Sequence, residues 1–229
     1  MTSIDSALRN EGCLSTYSGK KLHPLVPELS QIDIEDIAHG LAYQGCFRGQ
    51  THYYYSVAQH SLIVASLVPV QYRLAALLHD ATVAYFGEMT PLIRQLLPDI
   101  SRMEKSVMAA IGEKFGIAEF DSKIIERAHL IAAATEQRDL RPHFAKPSSL
   151  APIPRSIDFM SPEEAKYQFI ELFNKLSIKL RLVSQTSSGR QEANQKSPTG
   201  QSKKSRQEAE AKRTVLSRRE IFTQPAVYA

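Results

Sequence analysis

Apolar positions recur at helical spacing over residues 32–42. Ile34, Ile37, Ala38 and Leu41 share one face, and Glu35 and Asp36 crowd the first turn, where the helix dipole favours acids. Ahead of this helix, Thr16-Tyr-Ser-Gly19 with Lys20-Lys21-Leu22 reads as a short extended piece or hairpin, and Pro24 and Pro27 keep the chain non-helical. Ser56 is placed to cap a helix running through Leu67, which Pro69 stops. Residues 70–85 read as a single helix whose apolar run, Leu74 to Leu78, ends on His79-Asp80. Gly87 and Pro91 break the pattern; short helical pieces follow at 91–97 and about 99–115, then a longer helix from about Ser122 to Leu140. A loop with Pro147, Pro152 and Pro154 leads to Ser161-Pro-Glu-Glu, a helix start with a capping serine and a proline at the first position. The stripe Ala165, Phe169, Leu172, Phe173 and Leu176 gives that helix a face to bury. The pattern predicts an all-α bundle of about six or seven helices with a short extended N-terminal segment.

After about Leu182 the composition changes to Ser, Gln, Lys, Glu and Gly with almost no large apolar residue. Such a stretch buries too little surface to offset chain entropy, so residues 183–229 are expected to form a disordered basic tail. Residues 14–182 form the expected domain, and 1–13 a flexible N-terminus. Of the net charge of +4, the tail supplies +5, from nine Lys or Arg against four Glu, which leaves the body at about −1. Charge therefore gives the body no case for binding nucleic acid and leaves the tail a weak contact with a polyanion, or a role as docking peptide. The two cysteines, Cys13 and Cys46, lie far apart and lack metal-ligand spacing, which fits reduced thiols and a cytoplasmic setting. No apolar run approaches the ~20 residues of a membrane span, and the first twelve residues lack the apolar core of a secretion signal.

His79-Asp80 at the end of an apolar run carries the chemistry. An unpaired carboxylate in apolar surroundings is costly. A divalent ion held by His79, Asp80 and His60, from a neighbouring helix, accounts for all three polar groups. Imidazole and carboxylate donors together suit Zn, Mn, Fe or Co better than Ca or Mg. Such an ion acidifies water for attack on phosphorus. Tyr53-Tyr54-Tyr55 reads as alternating core and surface positions and Ser61 as a local hydrogen-bonding residue; Glu136, seven residues from His129 on the same helix face, reads as part of a solvated face, with a place behind the ligands or facing substrate as the alternative.

Asp33-Ile-Glu-Asp-Ile-Ala-His-Gly-Leu41, Tyr55-Ser-Val-Ala-Gln-His-Ser61, Ala75-Ala-Leu-Leu-His-Asp-Ala81 and Ala84-Tyr-Phe-Gly-Glu88 with Thr90-Pro91 resemble the HD-domain phosphohydrolase superfamily. The branch is that of small phage and bacterial proteins related to 5′-deoxynucleotidases and phage dATP triphosphohydrolases. The resemblance spans about residues 14–180 and implies an all-helical fold holding one divalent transition metal (Co, Mn, Zn, Fe or Ni). His60, His79 and Asp80 carry over as ligands, and the fourth position, an aspartate in the family, is His129 here. The resemblance implies hydrolysis of a deoxynucleotide phosphate by metal-activated water, and an assembly of identical subunits. Glu88 would position water or substrate. Arg48 would neutralise phosphate, in a substrate loop with Phe47 and Gln50. Several positions depart from the family pattern: Cys46 replaces an arginine, Gln50 a histidine, and Val83 the glutamate three residues after the metal aspartate. These departures fall on catalytic positions, which raises the alternative of an impaired scaffold that binds nucleotide or a protein partner without turnover.

Overall fold

The computed structural model describes residues 12–141 and 150–195. The expected flexible N-terminus (apart from residues 12 and 13), Pro147 and the tail beyond 195 lie outside the described residues. The chain divides into two units, 1–181 and 182–229.

The extended N-terminal piece is a hairpin. Strands β1 (Leu14–Ser15) and β2 (Lys21–Leu22) pair antiparallel, with Leu14 opposite Leu22. Eight α-helices follow among the described residues: α1 (Ile34–Tyr43), α2 (Val57–Ser66), α3 (Arg73–Leu77), α4 (Val83–Phe86), α5 (Pro91–Leu96), α6 (Pro98–Phe115), α7 (Lys123–Leu140) and α8 (Pro162–Gln195). The all-α expectation holds. Ser56 and Ser161 cap their helices as the sequence suggests, accepting from the Gln59 and Glu164 N–H, and Asp33 and Ser122 cap two more, accepting from Glu35 and Ile125.

Helix α2 packs against α1, α3 and α7, and α1 packs against α4. Ile37, Leu41, Tyr55, Val64, Leu77, Leu78, Ile111, Leu140 and Phe169 fill the core. The stripe on α8 is confirmed, with Ala165, Phe169, Phe173 and Leu176 buried. Gly40 sits where α1 crosses α4: a Cβ there would stand 2.7 Å from the Ala84 Cβ and 2.8 Å from its carbonyl oxygen. The missing side chain lets the two helices touch.

Two expectations are corrected. Residues 70–85 are not one helix. A 3-10 turn at Val70–Tyr72 leads into α3, the chain leaves helical geometry at Leu78, and His79 and Asp80 lie in the turn before α4. The His79 side chain donates from Nδ1 to the Ala76 carbonyl at 2.8 Å, the acceptor that the Asp80 N–H would use in a continued helix. The backbone then turns on tighter bonds, Ala81 N–H to Leu78 O and Val83 N–H to Asp80 O. Residues 183–195, expected to be disordered, continue α8. Adding turns to an existing helix avoids the nucleation cost that burdens an isolated segment.

Candidate metal centre

Three elements bring the donors together. His60 comes from the first turns of α2, His79 and Asp80 from the turn after α3, and His129 from α7. His60 Nε2 lies 3.6 Å from Asp80 Oδ2, His79 Nε2 lies 3.3 Å from the same oxygen, and His79 Nε2 lies 3.3 Å from His129 Nδ1. One nitrogen each of His60, His79 and His129 falls within a 4.8 Å cluster that could hold a metal ion.

The outer nitrogens are already engaged. His60 donates from Nδ1 to Glu136 Oε1 at 2.5 Å, and His79 donates from Nδ1 to Ala76. Both rings are thereby held with Nε2 turned to the cluster, the arrangement that second partners impose on metal-binding imidazoles. His60 Nε2 is buried and lacks a hydrogen-bond partner among the described residues. Such an orphaned nitrogen beside a carboxylate oxygen is the observation that fits an ion, because a buried polar atom without a partner is otherwise costly.

Charge sets the three rings apart. Burial pulls the His60 imidazolium down, but Glu136 and then Asp80 outweigh it and lift the group to about 9. His129 is pushed down to about 4 by burial, then by His60 and His79, and His79 is also lowered, chiefly by burial. For Asp80 and Glu136 burial opposes ionisation, yet the surrounding imidazoles hold both carboxyls below their ordinary range. At neutral pH two imidazoles are therefore neutral and ready to ligate, and one proton, on His60, stands in the way.

Glu136 corrects the sequence reading. It lies on a buried face of α7, 2% exposed, where Oε1 accepts from both His60 Nδ1 and the Tyr55 hydroxyl at 2.7 Å. Its spacing of seven from His129 was the signal, since two turns of helix return to the same face. The three tyrosines are structural: Tyr53 donates to the Ile157 carbonyl, Tyr54 to Ala42, and Tyr55 to Glu136. Ser61 is not locally bonded; its buried Oγ lacks a partner among the described residues.

A cavity of about 190 Å³ opens on the cluster. Cys46, Phe47, Val57 and Val83 give it apolar wall, and Asp80, Glu88, Arg94, His129 and Glu136 give it charge or polarity. Phe47 and Glu88 thus line the cavity. Arg48 and Gln50 are exposed and do not line the cavity. Arg48 instead offers its backbone N–H to Glu88 Oε2 at 2.8 Å. Phe47 and Arg48 both adopt φ of 55°, a left-handed conformation costing about 1–2 kcal/mol per residue. The Glu88 bond and the Arg141 guanidinium, 4.4 Å over the Phe47 ring, hold that loop in place. The cation that does line the cavity is Arg94, on α5, which the sequence reading passed over. Glu104 fixes it, with Nε 3.0 Å from Oε2 and Nη2 3.2 Å from Oε1. Cys46 remains a free thiol, pushed well up by burial and then by the carboxylates Glu136, Glu88 and Asp80.

No protein-family model matches the chain. It is 36% identical to the uncharacterized protein YfdR of Escherichia coli (strain K12) over 172 residues, covering 72% of this chain and 95% of that relative. The chain belongs to the YfdR family. An uncharacterized protein of Rhodobacter capsulatus is 40% identical over 121 residues, 48% of this chain and 62% of that relative. No helix among the described residues of this YfdR relative is long and apolar enough to cross a membrane.

Proposed function

We propose that the chain is a metal-dependent phosphohydrolase of the HD-domain type, acting on a deoxynucleotide phosphate. The observation that carries this reading is the buried, unpartnered His60 Nε2, aimed at Asp80 within a group of three imidazoles. His60, His79, His129 and Asp80 would hold one divalent transition ion. That ion would supply Lewis acidity, polarising a phosphoryl oxygen and acidifying water. The residues do the rest. Glu136 and the Ala76 carbonyl fix the rings, and Arg94, itself clamped by Glu104, sets a positive charge against phosphate oxygens. Glu88 presents a carboxylate to the cavity while securing the Cys46–Gly49 loop. Phe47 and Val57 give one wall an apolar surface.

Val83 favours a second reading. It lines the cavity at 6% exposure, where a carboxylate would be needed to move a proton, and an isopropyl group cannot do so. On this reading the scaffold binds nucleotide without turnover.

The test is elemental analysis of the purified protein followed by phosphate release from a nucleotide panel with Co or Mn added. Bound metal with turnover that Asp80→Ala abolishes supports hydrolysis. Bound nucleotide without phosphate release supports the scaffold.

A further inference from the structure

A second cleft, of about 460 Å³, lies beside the metal cavity and shares Arg94 with it. Its other lining residues are Gln95, Pro98, Ser101, Arg102 and Lys105. Three of the six are basic and none is acidic. That bias is local, because residues 1–182 together carry about −1. Pro98, Ser101, Arg102 and Lys105 recur at three- and four-residue spacing, so they form one stripe on the first two turns of α6. The positive end of an 18-residue helix therefore backs the stripe.

The cations differ in how firmly they are held. Arg94 is fixed by Glu104, which is 8% exposed, so its guanidinium is a rigid post between the two cavities. Arg102 pairs with Asp99 at 3.3 Å, and both are largely exposed. A pair of that kind is worth little and is readily exchanged for a more highly charged anion. Lys105, one turn on, is exposed and brings a further ammonium. Cations in sequence from a clamped, half-exposed guanidinium to a more exposed rim suit an anion with several charges in a row, whereas a single phosphate needs Arg94 alone.

We infer that this cleft binds the further phosphates of a ligand carrying successive phosphate groups, with the first group at the metal cavity and the others running past Arg94 to Arg102 and Lys105. The inference deepens the proposed phosphohydrolase reading and rests on it for the position of the first phosphate. The ligand is a small molecule with a phosphate chain; a nucleic-acid strand, whose phosphates are separated by sugars, is the competing source of the same charge.

The experiment is calorimetric titration of the full-length, metal-loaded protein with orthophosphate, inorganic tripolyphosphate and a short single-stranded oligonucleotide. Tripolyphosphate is expected to bind at least about tenfold more tightly than orthophosphate, since charged hydrogen bonds of this kind are each worth roughly that factor. The double variant Arg102→Gln with Lys105→Gln should lose that advantage while keeping its orthophosphate affinity, its metal content and its helical circular dichroism. An advantage that survives in the double variant, or an equal loss for both anions, overturns the inference. So does an oligonucleotide that outcompetes tripolyphosphate for the same residues. A protein that lacks metal or turnover but keeps the chain-length preference supports the cleft and sinks only the phosphohydrolase reading. Metal and turnover without that preference sink the cleft alone.

Discussion

Glu136 accepts the Nδ1 hydrogen of His60 at 2.5 Å, and the two side chains are 2% and 6% exposed. The bond fixes which nitrogen of His60 faces Asp80 and makes that nitrogen more basic. Glu136→Gln should therefore lower metal affinity about 10–100-fold, the range seen when such outer partners are removed. Competition titration against a chromophoric chelator measures it. Unchanged affinity with unchanged helicity would assign Glu136 to folding alone.

The pH response is set chiefly by His60 and His129, with His79 shifted in the same direction as His129. In the metal-free protein His60 titrates at about 9, above its unfolded value of 6.5, so its stabilisation is complete below 6.5 and is lost as pH rises through 9. His129 titrates at about 4, so between 6.5 and 4 the unfolded chain takes up a proton that the folded chain refuses, and stability falls with falling pH. Thermal unfolding with chelator present should peak near pH 6.5. His60→Gln should flatten the alkaline limb, and His129→Gln should shrink the limb below the peak, part of which the lowered His79 keeps; an alkaline limb unchanged in His60→Gln, or an acid limb unchanged in His129→Gln, contradicts the assignment.

Metal affinity should run the other way from His60 stabilisation. An ion must displace the His60 Nε2 proton, so apparent affinity should climb from pH 6 to about 9 and then level off. A dye-competition series across that range reads the slope directly.

Gly40 and Ala84 give a packing prediction. With a Cβ landing 2.7–2.9 Å from three Ala84 atoms, one of the helices must move, so Gly40→Ala should cost about 1–3 kcal/mol. Because α4 carries Val83 and leads to Glu88, the displacement should also reduce turnover. Denaturant unfolding of the variant beside phosphate release separates the two effects; full stability would show that α1 and α4 have room to spare.

Val83→Glu sets a carboxylate into the cavity wall. If the site is impaired by the missing proton carrier, phosphate release should rise by about 10²-fold, the lower end of general acid–base contributions. A stable variant with no gain assigns the slow step elsewhere.

Much was legible in the residue order because it depends on neighbours in the chain. Ser56 and Ser161 announced their helices because a capping side chain acts on a backbone N–H two or three residues away. The all-helical class and the buried stripe of α8 followed from spacing alone. His60, His79 and Asp80 stood out because polar groups interrupt apolar runs. Folding decided what depends on partners far along the chain. The turn at His79-Asp80 reflects a side chain taking the Ala76 carbonyl from the helix. The burial of Glu136 depends on Tyr55 and His60, 81 and 76 residues away. Arg94, and not Arg48, faces the site because Glu104 clamps the one while the other gives its backbone to Glu88. Local periodicity is written in the sequence; which charge meets which across helices is set only when the helices pack.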